Sequence, residues 1–74
     1  MKYPTTATVC AYLRHHQRTS MRGMAHMLRV APSTWSRYER GLTAPGAHMK
    51  RQLVNLAGCR NFRDLIQRAI SGYY

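Results

Sequence analysis

Apolar side chains return at helical spacing in five stretches of the chain, and the breaks between them carry helix-stop and helix-start residues. Val9, Leu13 and His16, flanked by Cys10 and Tyr12, form one stripe and predict a first helix over about residues 8–17. Ser20 is a natural N-cap for a second, about 21–28, in which Met21, Met24, Ala25 and Leu28 share a face. Gly23 costs that helix roughly 1 kcal/mol relative to alanine. A third starts at Pro32, where a missing amide wastes no hydrogen bond, and runs to about Tyr38 or Arg40 before Gly41 stops it. Trp35 and Tyr38 lie on one side of it; Ser33, Ser36 and Arg37 fall largely on the other.

Pro45 and Gly46 mark a turn-rich linker, followed by a helix over about 46–57 whose stripe is Met49, Leu53, Leu56 and Ala57. After Gly58, Asn61 and Asp64 form a capping pair for a fifth helix whose apolar face is Phe62, Leu65, Ile66, Ala69 and Ile70 and which closes at Gly72. Residues 1–7 read as a flexible N-terminal arm, because Pro4 and two threonines oppose an early helix; Thr6 or Thr8 is then available as a cap. Strand and hairpin patterns are missing from the sequence. The expectation is an all-α fold of five short helices, with residues 8–74 as a single domain.

Composition narrows the partner. The 74 residues carry 12 Lys and Arg against 2 Asp and Glu, a net charge of +10. Such a surface attracts polyanions, and arginine outnumbers lysine, which suits two-pronged contacts to phosphate and guanine. An anionic membrane, an acidic protein or RNA would meet the same charge. Cys10 and Cys59 match neither a disulfide scaffold nor a zinc pattern, and His15, His16, His26 and His48 do not share a helix face, so no metal is expected. Catalysis has little to work with: no Ser/His/Asp grouping, no Gly-rich phosphate loop and two carboxylates, of which Asp64 has a capping role. No secretion signal or membrane-length apolar run is visible, so the chain is expected in a reducing cytoplasm without a membrane partner.

Two helices separated only by Arg29, Val30 and Ala31, the second with one apolar and one basic face, have the layout of a helix-turn-helix. In that layout Val30 tucks between the helices against Ala25 and Trp35, and the outer face of the Pro32 helix enters the major groove.

Residues 20–41, SMRGMAHMLRVAPSTWSRYERG, resemble the Cro and phage-repressor family, also called the Xre family. Its usual form is S-Q-x-x-L-A-x-x-L-G-V-S-x-x-x-I-S-x-x-E-x-G. Ser20, Ala25, Leu28, Val30, Ser36, Glu39 and Gly41 match, with Met24 and Trp35 in place of the family's Leu and Ile. Together with the flanking helices the resemblance covers roughly residues 8–71. Three departures stand out: Met21 replaces a Gln, Arg29 the turn Gly, and Ala31 a capping Ser.

The resemblance implies a lambda-repressor-like domain whose core at the motif is Ala25, Leu28, Val30, Trp35 and Tyr38. It implies base contacts from Arg37 first, then Ser33, with Pro32 close to the bases and Ser36 a lesser reader. Phosphate contacts follow from Arg18, Arg22, Thr34 and Arg40, and more weakly from Arg14, Lys50 and Arg51. Glu39 and Gly41 are implied to be structural, Glu39 with Arg14 or Arg51 as partner. A homodimer on a pseudo-palindromic double-stranded DNA operator is implied, with Phe62, Ile66, Ile70, Tyr73 and Tyr74 at its interface. A bacterial or phage-encoded transcriptional repressor, with no cofactor and no small-molecule ligand, is the resulting expectation. The alternatives are a protein-interaction module on the same fold, or a non-specific nucleic-acid-binding protein.

Overall fold

The computed structural model describes residues 2–72, and all regular structure among them is helical: α1 Pro4–His16, α2 Met21–Leu28, α3 Pro32–Glu39, α4 Ala47–Ala57 and α5 Phe62–Gly72. Four of the five helices start and stop within a residue or two of the sequence expectation. The exception is α1, which begins four residues earlier than the pattern suggested and removes most of the expected arm. Pro4 is the reason: at the first helical position it gives up an amide that has no partner, so it opens the helix rather than blocking it. Thr6 and Thr8 do not cap. Their hydroxyls donate back to the carbonyls of Tyr3 (3.2 Å) and Pro4 (3.0 Å). The amides of Lys2 and Tyr3 both donate to the Gly41 carbonyl at 2.9 Å, so the start of the chain is fastened to the end of α3.

Helix ends show a common device. After α1, Arg18 donates to His15 and Thr19 to Arg14; after α2, Arg29 donates to His26 and Val30 to Ala25. After α3, Gly41 donates to Tyr38 and Leu42 to Arg37; after α4, Gly58 donates to Asn55 and Cys59 to Val54. Each pair is the double bond pattern of a Schellman motif, which needs one residue in the left-handed region. Gly41 (φ 70°) and Gly58 (φ 71°) supply it without a steric cost. Arg18 (φ 54°) and Arg29 (φ 59°) supply it against one. N-termini are closed by side chains where the sequence suggested: Ser20 Oγ accepts from the Gly23 amide at 3.0 Å, and Asn61 Oδ1 from Asp64 at 2.8 Å. α3 has no such cap, since Ala31 stands at that position.

The core lies where these helices converge. Val9, Cys10 and Leu13 of α1, Met24, Ala25 and Leu28 of α2, Trp35 and Tyr38 of α3, Met49 and Leu53 of α4, and Leu65 and Ala69 of α5 are buried together. α3 packs on α2 and α1, while α5 packs on α1 and α4. Thus α1 lies between the third and fifth helices. His16 is not on the buried stripe: it is exposed and stacks on Tyr12, ring centroids 5.7 Å apart. Gly23 is a close approach, because a Cβ built there would lie 2.1 Å from Thr19 Oγ1.

Candidate nucleic-acid interface

Helix α3 is divided by its own periodicity. At about 100° per residue, Ser33, Arg37 and Arg40 fall within one narrow sector, and Trp35 and Tyr38 fall opposite. Ser33, Arg37 and Arg40 are exposed, whereas Trp35 is wholly buried and Tyr38 nearly so. Their rings meet edge to face at 5.9 Å, a favoured aromatic geometry, and burial of both in the core fixes the rotation of α3 about its axis. Pro32 is exposed at the helix start; Thr34 and Ser36 are half-buried on the flanks. Burial of the two rings therefore aims the Arg37 guanidinium away from the protein.

The segment before α3 sets its approach. Arg29 turns the chain through the left-handed region, Val30 packs partly buried against the core, and the Val30 amide reaches the Ala25 carbonyl at 3.0 Å. Ala25 and Leu28 are buried, as expected of the motif core. Arg18 and Arg22 are exposed on either side of Ser20 at the start of α2, where the dipole and free amides favour an anion.

Glu39 is the buried acid among these cations. Its side chain is 6% exposed, and Oε2 accepts from Arg14 Nε at 2.7 Å. The same oxygen accepts from Trp35 Nε1. Arg14 also donates to the Thr19 carbonyl at 3.4 Å, so one guanidinium ties α1, the loop into α2 and α3 together. Arg14, a weaker phosphate candidate, thus has its Nε committed to Glu39 and keeps 21% of its side chain exposed. Nearby, burial first and the Glu39 carboxylate second push the Cys10 thiol up to about 12. Burial, then Cys10, raises Tyr38. Neither group ionises near neutral pH, which leaves Glu39 as the sole anion of the cluster.

The remaining candidates are dispersed. Arg51 is exposed on α4, but Lys50 is half-buried with its Nζ 5.1 Å over the Phe62 ring. That contact also modifies the expected dimer surface. Phe62 and Ile66 are half-buried and pack against the core, because α5 turns them toward α4 and α1; Ile70, 52% exposed, remains on the surface. Ile66 and Ile70 line a groove of about 220 Å³ with Pro4, Thr5, Thr8 and Val9. Tyr73 and Tyr74 lie outside the described residues.

Sequence reasoning missed the tether of Lys2 and Tyr3 to Gly41, which places Lys2 beside the end of α3. Backbone donors carry no side-chain signature, so nothing in the residue types announced it. Both cysteines are free, Cys10 buried and Cys59 half-buried. Among the described residues no three His, Cys, Asp or Glu side chains converge, and no helix is long and apolar enough to cross a membrane. No family model matches the chain, and neither a curated protein nor a solved structure matches it.

Proposed function

We propose that this protein binds double-stranded DNA at specific sites, with α2 and α3 acting as a helix-turn-helix and α3 lying in the major groove. The observation that carries this reading is the exposed Ser33–Arg37–Arg40 sector of α3, set opposite buried Trp35 and Tyr38 in a chain of net charge +10. Arg37 is the principal base reader, since its guanidinium matches the O6 and N7 acceptors of guanine. Ser33 and Pro32 approach neighbouring bases, Pro32 through apolar contact alone. Arg18, Arg22 and Arg40 hold phosphates and fix the register without selecting sequence. A regulatory role, as a dimeric repressor on half-sites about 34–36 Å apart, follows from the resemblance of residues 20–41 to phage repressors.

The test is a binding comparison at several salt concentrations, with a duplex selected from a random pool, an unselected duplex and single-stranded RNA. Site-specific recognition gives a preference of about 10³-fold or more for the selected duplex. Equal affinity for all three, falling together with salt, overturns it in favour of plain polyanion binding.

A further inference from the structure

The basic character of the chain is not confined to the α3 side. Arg60, Arg63 and Arg68 are exposed around the first two turns of α5, in a shallow recess of about 370 Å³ with Asn61, Asp64 and Gln67. The helix terminus itself is already satisfied: Asn61 caps the Asp64 amide, and Asp64 Oδ2 accepts from the Arg60 amide at 3.3 Å. Asp64 also lies 3.6 Å from Arg68 Nη2 and is the one carboxylate in the patch. Three arginines against one aspartate leave a net positive charge carried by side chains alone.

These arginines point away from the core. On α5, Leu65 and Ala69 are buried, and Arg63, Gln67, Arg68 and Ser71 occupy the exposed side. α5 packs on α1 and α4, whereas α3 packs on α1 and α2, so the two helices reach the same core from different neighbours. Cα extents of 27 × 25 × 24 Å make the body small enough to sit between two duplexes.

We infer that the Arg60–Arg63–Arg68 face of α5 is a second phosphate-backbone surface, by which a protein bound through α3 to one duplex captures a second duplex segment. This rests on the DNA-binding reading of α3. Phosphate backbone fits the face better than an acidic protein does. The recess is lined by arginine, asparagine, aspartate and glutamine, with the exposed Ile70 outside it, whereas a protein docking site is built around an apolar or aromatic anchor. Arg60, Arg63 and Arg68 line one recess, so three guanidinium groups are open to the same stretch of solvent. Nothing in the patch reads bases, so capture is independent of sequence and sensitive to salt.

The experiment uses two short duplexes with different dyes and follows energy transfer between them, with anisotropy of a single duplex in parallel. Wild-type protein is expected to bring the two together at low salt. The Arg60→Gln/Arg63→Gln/Arg68→Gln variant is expected to lose bridging by about tenfold or more, in line with the loss of three phosphate contacts. Its single-duplex affinity stays close to wild type. Three outcomes overturn this inference alone. One is absence of bridging by wild type that still binds one duplex, which leaves the α3 reading intact. Another is bridging unaffected by the triple variant, as a simple dimer would give. The last is retention by the α5 face of poly-glutamate but not of duplex. If the triple variant loses single-duplex binding as completely as bridging, α5 is the primary surface and both readings fall. The substituted positions are exposed, so thermal unfolding of the variant is expected to match wild type.

Discussion

Arg14 Nε donates to Glu39 Oε2 at 2.7 Å, joining α1 to α3 across 25 residues of sequence. The bond is more than a local ion pair, because Glu39 Oε2 also receives Trp35 Nε1 and Arg14 also reaches the Thr19 carbonyl. Removing the cation leaves a carboxylate of 6% side-chain exposure with one neutral donor. Uncompensated buried charge is the expensive outcome. Arg14→Met is expected to lower unfolding free energy by about 3 kcal/mol. Glu39→Gln, which removes the charge and keeps an acceptor for Trp35, is expected to cost less. Urea unfolding of the two variants checks the order; equal stability of Arg14→Met and wild type means the bridge contributes nothing to the fold.

Cys10 gives the stability a pH dependence at the alkaline end. Its folded pKa is raised from 9.0 to about 12, first by burial and then by Glu39. An unfolded chain releases the thiol proton near pH 9, while the folded chain holds it. Between these values the unfolded state binds fewer protons, so stability falls as pH rises through the window. The full loss attributable to this group is on the order of 4 kcal/mol if it acts alone. Tyr38, also raised by burial and by Cys10, shifts in the same direction and adds to the slope. Unfolding curves at pH 8, 9.5 and 11 are expected to show a steep decline for wild type and a shallower one for Cys10→Ala. Thiol labelling separates the two cysteines: Cys59 reacts in the folded protein, and Cys10 only on unfolding.

Much of this architecture is written in residue types. Ser20, Asn61, Gly41 and Gly58 mark helix ends because their chemistry favours those positions, and the stripes in α2, α4 and α5 are regular. Trp35 and Tyr38 identify the inner side of α3, and so its outer side, before any coordinates. What could not be read has a physical explanation in each case. Pro4 serves equally as a helix opener and a helix breaker, and only the tether of Lys2 and Tyr3 to Gly41 resolves it. Glu39 had two cationic partners in reach of argument, Arg14 and Arg51, and the choice depends on how α1 crosses α3. Phe62 and Ile66 look like an exposed apolar face in one dimension; α4 and α1 cover part of it in three.

Arg18 and Arg29 stand in left-handed conformations that favour glycine. Holding an L side chain there costs about 1–2 kcal/mol, part of which a glycine gives back through the greater freedom of its unfolded chain. Arg18→Gly and Arg29→Gly are each expected to raise stability, by about 0.5–1 kcal/mol. Their effects on duplex affinity are expected to differ. Arg18 precedes α2 on the side assigned to phosphate, so its loss weakens all duplexes; Arg29 lies in the turn between α2 and α3, and its loss leaves affinity unchanged. Thermal unfolding and duplex titration of the pair provide the check. An Arg18→Gly protein that binds as well as wild type removes Arg18 from the interface.

The division of labour between Arg37 and Arg22 can be tested within one set of duplexes. Arg37 sits in the outward sector of α3 and is assigned a base; Arg22 is exposed in the first turn of α2 and is assigned a phosphate. Arg37→Ala is expected to cost about 1–3 kcal/mol on the selected duplex and to relax preference at one base pair. The loss on unselected duplex is expected to be smaller. Arg22→Ala is expected to weaken selected and unselected duplexes alike and to reduce the salt slope by about one unit. The contrast matters more than either magnitude, because removing any arginine from the DNA-facing surface weakens binding to DNA. If Arg37→Ala lowers affinity for both duplexes equally, with no change at any base pair, then Arg37 holds phosphate and the reader of α3 lies elsewhere in the Ser33–Arg40 sector.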